Sequence, residues 1–135
     1  MNTIKNEQDV IERINSIADV LSELGEEDQD VVDYRKLTMV FDSEHHLVNY
    51  MLAILIVKAL NEKRVPDWND GLWNKWFLWF FMGGSSGFRC DGFGNWGSNS
   101  DVGSRLCFME KRLGTHAASK PEFMRVFENF MTIKQ

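Results

Sequence analysis

The chain is poor in the residues that would cross-link it or carry it through a membrane. Of 135 residues only two are cysteine, Cys90 and Cys107, too few for a disulfide framework. The longest apolar run, Tyr50 to Val57, is eight residues, and a spanning helix needs about twenty. Met1 to Asp9 is polar, which predicts no secretory signal. Together these predict no membrane partner, a cytoplasmic location and reduced thiols.

Catalytic and metal-binding patterns are equally sparse. His45 and His46 are adjacent at the start of an expected helix, so their rings diverge by about 100°. Neither they nor His116 match a zinc-ligand spacing, and no metal or other cofactor is expected. Cys90 and Cys107 have no neighbouring base to activate them as nucleophiles. Gly83-Gly84-Ser85-Ser86-Gly87 lacks the Gly-Lys-Ser/Thr ending of a phosphate loop and reads as a turn between strands. The sequence therefore predicts a protein that is not an enzyme; a small enzyme using His116 or a cysteine is the weakest alternative.

Charge is unevenly spread. Residues 1–33 hold ten acids against Lys5 and Arg13, a net of −8; the other 102 residues hold thirteen Lys/Arg against ten acids, a net of +3. A −8 segment argues against direct contact with nucleic acid. It reads as a solvated acidic face, or as an arm that docks on a basic partner. Residues 1–33 are expected to form an acidic N-terminal helix and linker, dispensable for folding, and 34–135 a compact core within one domain overall.

What is abundant is aromatic side chain: 13% of the chain, with five tryptophans. The periodicities suggest an α+β fold. Val10, Ile11, Ile14, Ile17, Ala18, Leu21 and Leu24 predict one amphipathic helix over 7–24, with Gly25 as its cap and a polar link over 26–30. Residues 34–41 fit a short strand or a helical turn. Asp42 and Ser43 suit the cap of a helix over 44–61, apolar nearly all round, with Tyr50, Ile54 and Leu55 buried at the centre of the fold. Lys75 to Met82 is an aromatic run suited to a strand, and glycines punctuate further strands at 87–91 and 102–109. Ser119-Lys120-Pro121-Glu122 has the pattern of a capping box opening a C-terminal helix. The expectation is a small antiparallel sheet of about three strands packed against the central and C-terminal helices. If 87–91 and 104–109 pair directly, Cys90 lies opposite Cys107 and Arg89 and Arg105 share a face.

The residues best suited to binding are Trp76, Trp79, Arg89, Trp96 and Arg105. Arginine among aromatic rings recognises a nucleotide, a sugar or a protein hot spot. The same residues also fit a core in which the rings are packed and the arginines pair with Asp91 or Asp101.

Three stretches carry a resemblance: Ala59-Leu60-Asn61-Glu62 with Val65-Pro66-Asp67-Trp68, then Lys75-Trp76-Phe77-Leu78-Trp79-Phe80, then Val102-Gly103-Ser104-Arg105-Leu106-Cys107-Phe108. Over about residues 45–133 the chain resembles a family of short hypothetical proteins of Bacteroides-type bacteria and of their phages and mobile elements. The family has no established activity. Its members run from the Cys-Phe strand into one unbroken helix, which Lys120-Pro121 interrupts here. The resemblance implies a phage or mobile-element protein in the cytoplasm of a bacterial host or within a virion. Small size and aromatic richness then suggest a virion or assembly component that binds a protein partner or itself. The alternative is a soluble antagonist of host defence that sequesters a nucleotide or docks its acidic segment on a basic enzyme.

Overall fold

The computed structural model describes residues 8–83 and 87–133. Its first apolar stripe forms two helices instead of one. Asp9 caps α1 (Val10–Arg13): its carboxylate accepts the Ile11 N–H at 3.1 Å, and Glu12 accepts the Asp9 N–H at 3.3 Å. Ile14 is extended, and Ser16 caps α2 (Ile17–Leu24) by accepting the Asp19 N–H at 3.1 Å. The break keeps its polar groups paired. Asp19 accepts the Asn15 N–H at 2.9 Å, Glu122 accepts the Ile17 N–H at 2.9 Å, and His116 Nε2 donates to the Ile14 carbonyl at 2.7 Å. It also turns α2, so Val20 is fully buried while Ala18 faces solvent. Gly25 ends α2 at φ 86°, as expected of a glycine cap.

Residues 26–30 are not a loose link. Asp28 caps α3 (Gln29–Val40), accepting the Asp30 and Val31 N–H groups at 2.9 and 3.4 Å. The ambiguous stretch 34–41 is mostly the second half of this helix.

The central helix is α4 (His46–Leu60), and Ile54 and Leu55 are buried in it as expected. Tyr50 is 42% exposed and meets Phe130 edge-on, with ring centroids 5.2 Å apart. The cap is His45, not Asp42 or Ser43; its Nδ1 accepts the Leu47 N–H at 3.1 Å. Beyond Asn61 the chain reverses through two left-handed residues, Glu62 (φ 56°) and Lys63 (φ 64°). Their N–H groups return to the carbonyls of Ala59 and Lys58, each at 3.0 Å. This is a Schellman ending with glutamate where glycine is usual.

The sheet has two strands among the described residues, not three. β1 (Lys75–Phe81) pairs antiparallel with β2 (Arg89–Trp96), from Lys75↔Trp96 to Phe81↔Arg89, with a bulge at Asp91. The turn expected at Gly83–Gly87 lies partly outside the described residues. Residues 102–109 do not make a strand. Ser100 Oγ accepts the N–H groups of Val102 and Gly103 at 3.0 and 2.9 Å, Gly103 turns at φ 75°, and Ser104–Leu106 is a 3₁₀ turn. Phe108 alone reaches β1, exchanging two backbone hydrogen bonds with Trp76.

The cysteine pairing fails with it. Phe93 to Trp96 belong to β2, which pairs with β1, and Cys90 lies opposite Phe80. Cys107 sits beside Phe108 on the other edge of β1, level with Phe77 and about 10 Å along the strand from Cys90 at 3.3 Å per residue. Both thiols are free.

α5 (Lys111–Ala118) and α6 (Pro121–Met131) complete the fold, separated at Ser119–Lys120. Pro121 opens α6 as expected, but the capping box does not form. The Ser119 hydroxyl donates to the His116 carbonyl at 2.6 Å, and Glu122 is engaged by Ile17. The core gathers around α4, with α2, α3 and α6 packed on it. The hairpin adds Leu78 to the same buried cluster, with Phe108 and Leu113. Asn61 ties the two halves together, donating to the Cys107 carbonyl at 2.9 Å and accepting the Met109 N–H at 2.8 Å.

Five of the ten N-terminal acids pair with cations of the fold. Arg13 meets Glu23 and Glu62, Arg112 meets Asp9, Arg35 meets Glu26, and Lys58 meets Asp28 and Asp30. Asp28 carries the most structure. Its side chain is 5% exposed, and both its oxygens lie within 3.0 Å of Lys58 Nζ. Burial pushes its carboxyl up, but the Lys58 ammonium and the two capped N–H groups outweigh burial and hold it below the usual carboxylate range. A depressed folded-state pKa gives stability that is present above the unfolded value, about 3.9, and is lost as pH falls through the folded value. Asp28→Asn should therefore lower stability by about 1–3 kcal/mol at pH 6 and by less at pH 3, measured by urea unfolding. An equal gap at both values would remove the carboxylate from the account.

Candidate functional site

Alternation along β1 sends Lys75, Phe77, Trp79 and Phe81 to one face of the hairpin and Trp76, Leu78 and Phe80 to the other. Pairing adds Trp96, Gly94 and Gly92 to the first face and Asn95, Phe93 and Cys90 to the second. The second face is the core side. The first is closed at one end and open at the other.

The closed end is built around Lys75, whose whole residue is buried. Its ammonium donates to the carbonyls of Asp70 and Gly97, each at 2.6 Å, and lies 5.3 Å from the ring centroids of both Trp68 and Trp73. Tryptophan faces are the best aromatic partners for a cation, and they roof it while the loop carbonyls accept its hydrogen bonds. Next to it Phe77 stacks on Trp96, with centroids 5.2 Å apart and planes within 15°. Gly94 admits the Phe77 ring, because a side chain there would collide with it. Trp96 Nε1 is buried and unpaired among the described residues.

Past Phe77 the cover ends. Trp79 is 59% exposed, Phe81 41% and Met82 50%. The Arg89 guanidinium sits 4.7 Å above the Phe81 ring and is bonded to Asp91 at 2.7 Å. Three of the five expected binding residues, Trp79, Arg89 and Trp96, are thus placed along this outer face. Trp76 is not: it points to the core side, with Lys111 5.6 Å from its ring centroid. Arg105 is not on the sheet at all; it stands on the 104–106 turn. The shared face for Arg89 and Arg105 does not form, because residues 102–107 never join the sheet.

Arg105 instead lines an open cleft of about 270 Å³ with Ile54, Val57, Lys58, Lys63, Arg64, Val65, Pro66 and Asp30. The turn that carries it is pinned by Trp68, whose indole N–H donates to Ser104 Oγ at 2.6 Å.

The residues suited to acid–base or nucleophilic work are committed elsewhere. His116 holds the Ile14 carbonyl. Burial pushes the Cys107 thiol up, against a smaller pull from the Ser100 hydroxyl, so the thiol form prevails. His45 caps α4 and stacks between Phe41 and His46, at 3.9 and 4.4 Å between centroids. No helix among the described residues is long and apolar enough to cross a membrane.

Sequence reasoning missed Lys75 and the cleft-lining cations. A lysine two residues before Phe77 in a strand shares its face, and the nearby Trp68 and Trp73 were the available signal for a roofed cation. Comparison with protein-family models, with curated proteins and with solved structures returns no match.

Proposed function

We propose that the chain is a non-enzymatic phage or mobile-element protein that acts by binding, as a virion or assembly component. The observation that carries this reading is the open end of the outer hairpin face, where Trp79, Phe81 and Met82 stand exposed beside Arg89. Aromatic and arginine side chains dominate binding energy where proteins meet. The outer edge of β2 has no neighbouring strand among the described residues, and an open edge is a template for pairing with another chain. The resemblance of residues 45–133 supports the phage or mobile-element origin. The alternative, an antagonist of host defence, has less support, since Arg89 and Arg105 lie apart and much of the acidic segment is paired within the fold.

Self-association is the cheapest form of this reading to test. Static light scattering of the purified chain should give a mass above 15.7 kDa. Trp79→Ser should weaken association by about 30-fold or more, the scale of a hot-spot residue at 2 kcal/mol. A monomer at every concentration would exclude self-assembly and leave a different protein as the partner.

A further inference from the structure

We propose that the cleft between the end of α4 and the 104–106 turn binds a small organic anion, its acidic group on Arg105 and its apolar body against Ile54, Val57, Val65 and Pro66. The volume of about 270 Å³ lies just below the usual range for ligand pockets, about 300–1,000 Å³. It suits one ring or a short chain with one acidic group.

The charges select the sign. Four cations line the cleft, and three already have partners. Lys58 bonds Asp28 and Asp30 at 3.0 Å, Lys63 lies 4.0 Å from Asp28, and Arg64 donates to the Asn61 carbonyl at 2.8 Å and to Glu110 at 3.4 Å. Arg105 has no hydrogen bond or ion pair to any described residue. Asp30, the acid of the lining, is already held by Lys58. The unspent charge is thus a planar guanidinium, which takes a carboxylate or phosphate through two parallel hydrogen bonds.

The backbone holds the apolar wall opposite. Two consecutive non-glycine residues, Glu62 and Lys63, hold the left-handed conformation that favours glycine. They turn the chain back so that Val65 stands 74% exposed at the lip, followed by buried Pro66. The hydrogen bond from Trp68 to Ser104 fixes the turn that presents Arg105 from the other side.

The test is an amide NMR titration with four probes: phenyl phosphate, benzoate, inorganic phosphate and uncharged benzyl alcohol. Phenyl phosphate or benzoate should shift residues 54–66 and 104–106, and the stronger of the two identifies the acidic group. Inorganic phosphate and benzyl alcohol should each bind about tenfold or more weakly by comparison, since each lacks half of the contact. Arg105→Gln should weaken the aromatic anion by about 10- to 100-fold, the value of a hydrogen bond to a charged group. Val65→Asp, at an exposed position that leaves folding intact, should abolish it by repulsion. Trp79→Ser should leave it unchanged, which separates this site from the assembly surface. Equal binding of benzyl alcohol and phenyl phosphate, an unaffected Arg105→Gln variant, or no shift at the lining residues would overturn the proposal.

Discussion

Lys75→Met should destabilise the protein by about 3 kcal/mol, an effect on the scale of truncating a buried core side chain. Methionine nearly matches the lysine stem in volume, so little cavity is created. What is lost is the ammonium, with its hydrogen bonds to the Asp70 and Gly97 carbonyls at 2.6 Å. A hydrogen bond to a charged group contributes about 1.5–3 kcal/mol, and relief from burying the charge offsets part of the pair. The Gly97 carbonyl would lose this partner, whereas Asp70 keeps the Trp73 N–H at 3.3 Å. The rings of Trp68 and Trp73 would lose the cation beneath them, so tryptophan fluorescence should change along with the urea midpoint. A loss below about 1 kcal/mol would mean that the loops close on the hairpin without the lysine.

Deletion of residues 1–33 should abolish cooperative folding altogether. This reverses the expectation from charge that the segment is a detachable acidic arm. Val10, Ile14, Val20, Leu24 and Val31 are all buried in the main core. The deletion removes α2 and the first five residues of α3, both of which pack on α4, and ten residues of α4 are buried around its circumference. A helix that is apolar all round has no polar face to turn outward when its cover is removed. Exposing three large apolar side chains costs about 5–9 kcal/mol, comparable with the 5–15 kcal/mol of a whole domain. The deletion would also strip Lys58 of both carboxylates. Circular dichroism with thermal unfolding decides the matter: a sharp transition in residues 34–135 would show that α4 is covered by something else.

What was legible in the sequence followed from period. α4 and β1 were visible because their apolar content repeats locally, and Pro121 marked the start of α6. The division of the first helix was not visible. The groups that stabilise the break, His116 and Glu122, lie about a hundred residues further on. The third strand failed for a local reason that spacing does not show, since the Ser100 hydroxyl captures two N–H groups that a strand would have offered to its neighbour. Within the binding cluster, Trp76 and Trp79 are three residues apart, and strand alternation places them on opposite faces. Arg89 and Trp96 could be joined to Trp79 only once the bulge at Asp91 was known, because an extra residue reverses which side chains face outward.

The hydrogen bonds from Ile17 to Glu122 and from His116 to Ile14, with the Arg112–Asp9 ion pair, join residues about a hundred positions apart. During synthesis the first two helices leave the ribosome well before α5 and α6 exist. At roughly 5–20 residues per second the delay is about 5–20 s. Throughout that interval α4 emerges with one side unclosed, and its apolar surface is open to any chaperone or neighbouring nascent chain. The fold is therefore completed from its two ends at once, after translation of α6. A ribosome stalled ahead of Lys111 would hold a chain whose N-terminal helices still lack Arg112, His116 and Glu122, their partners across the fold.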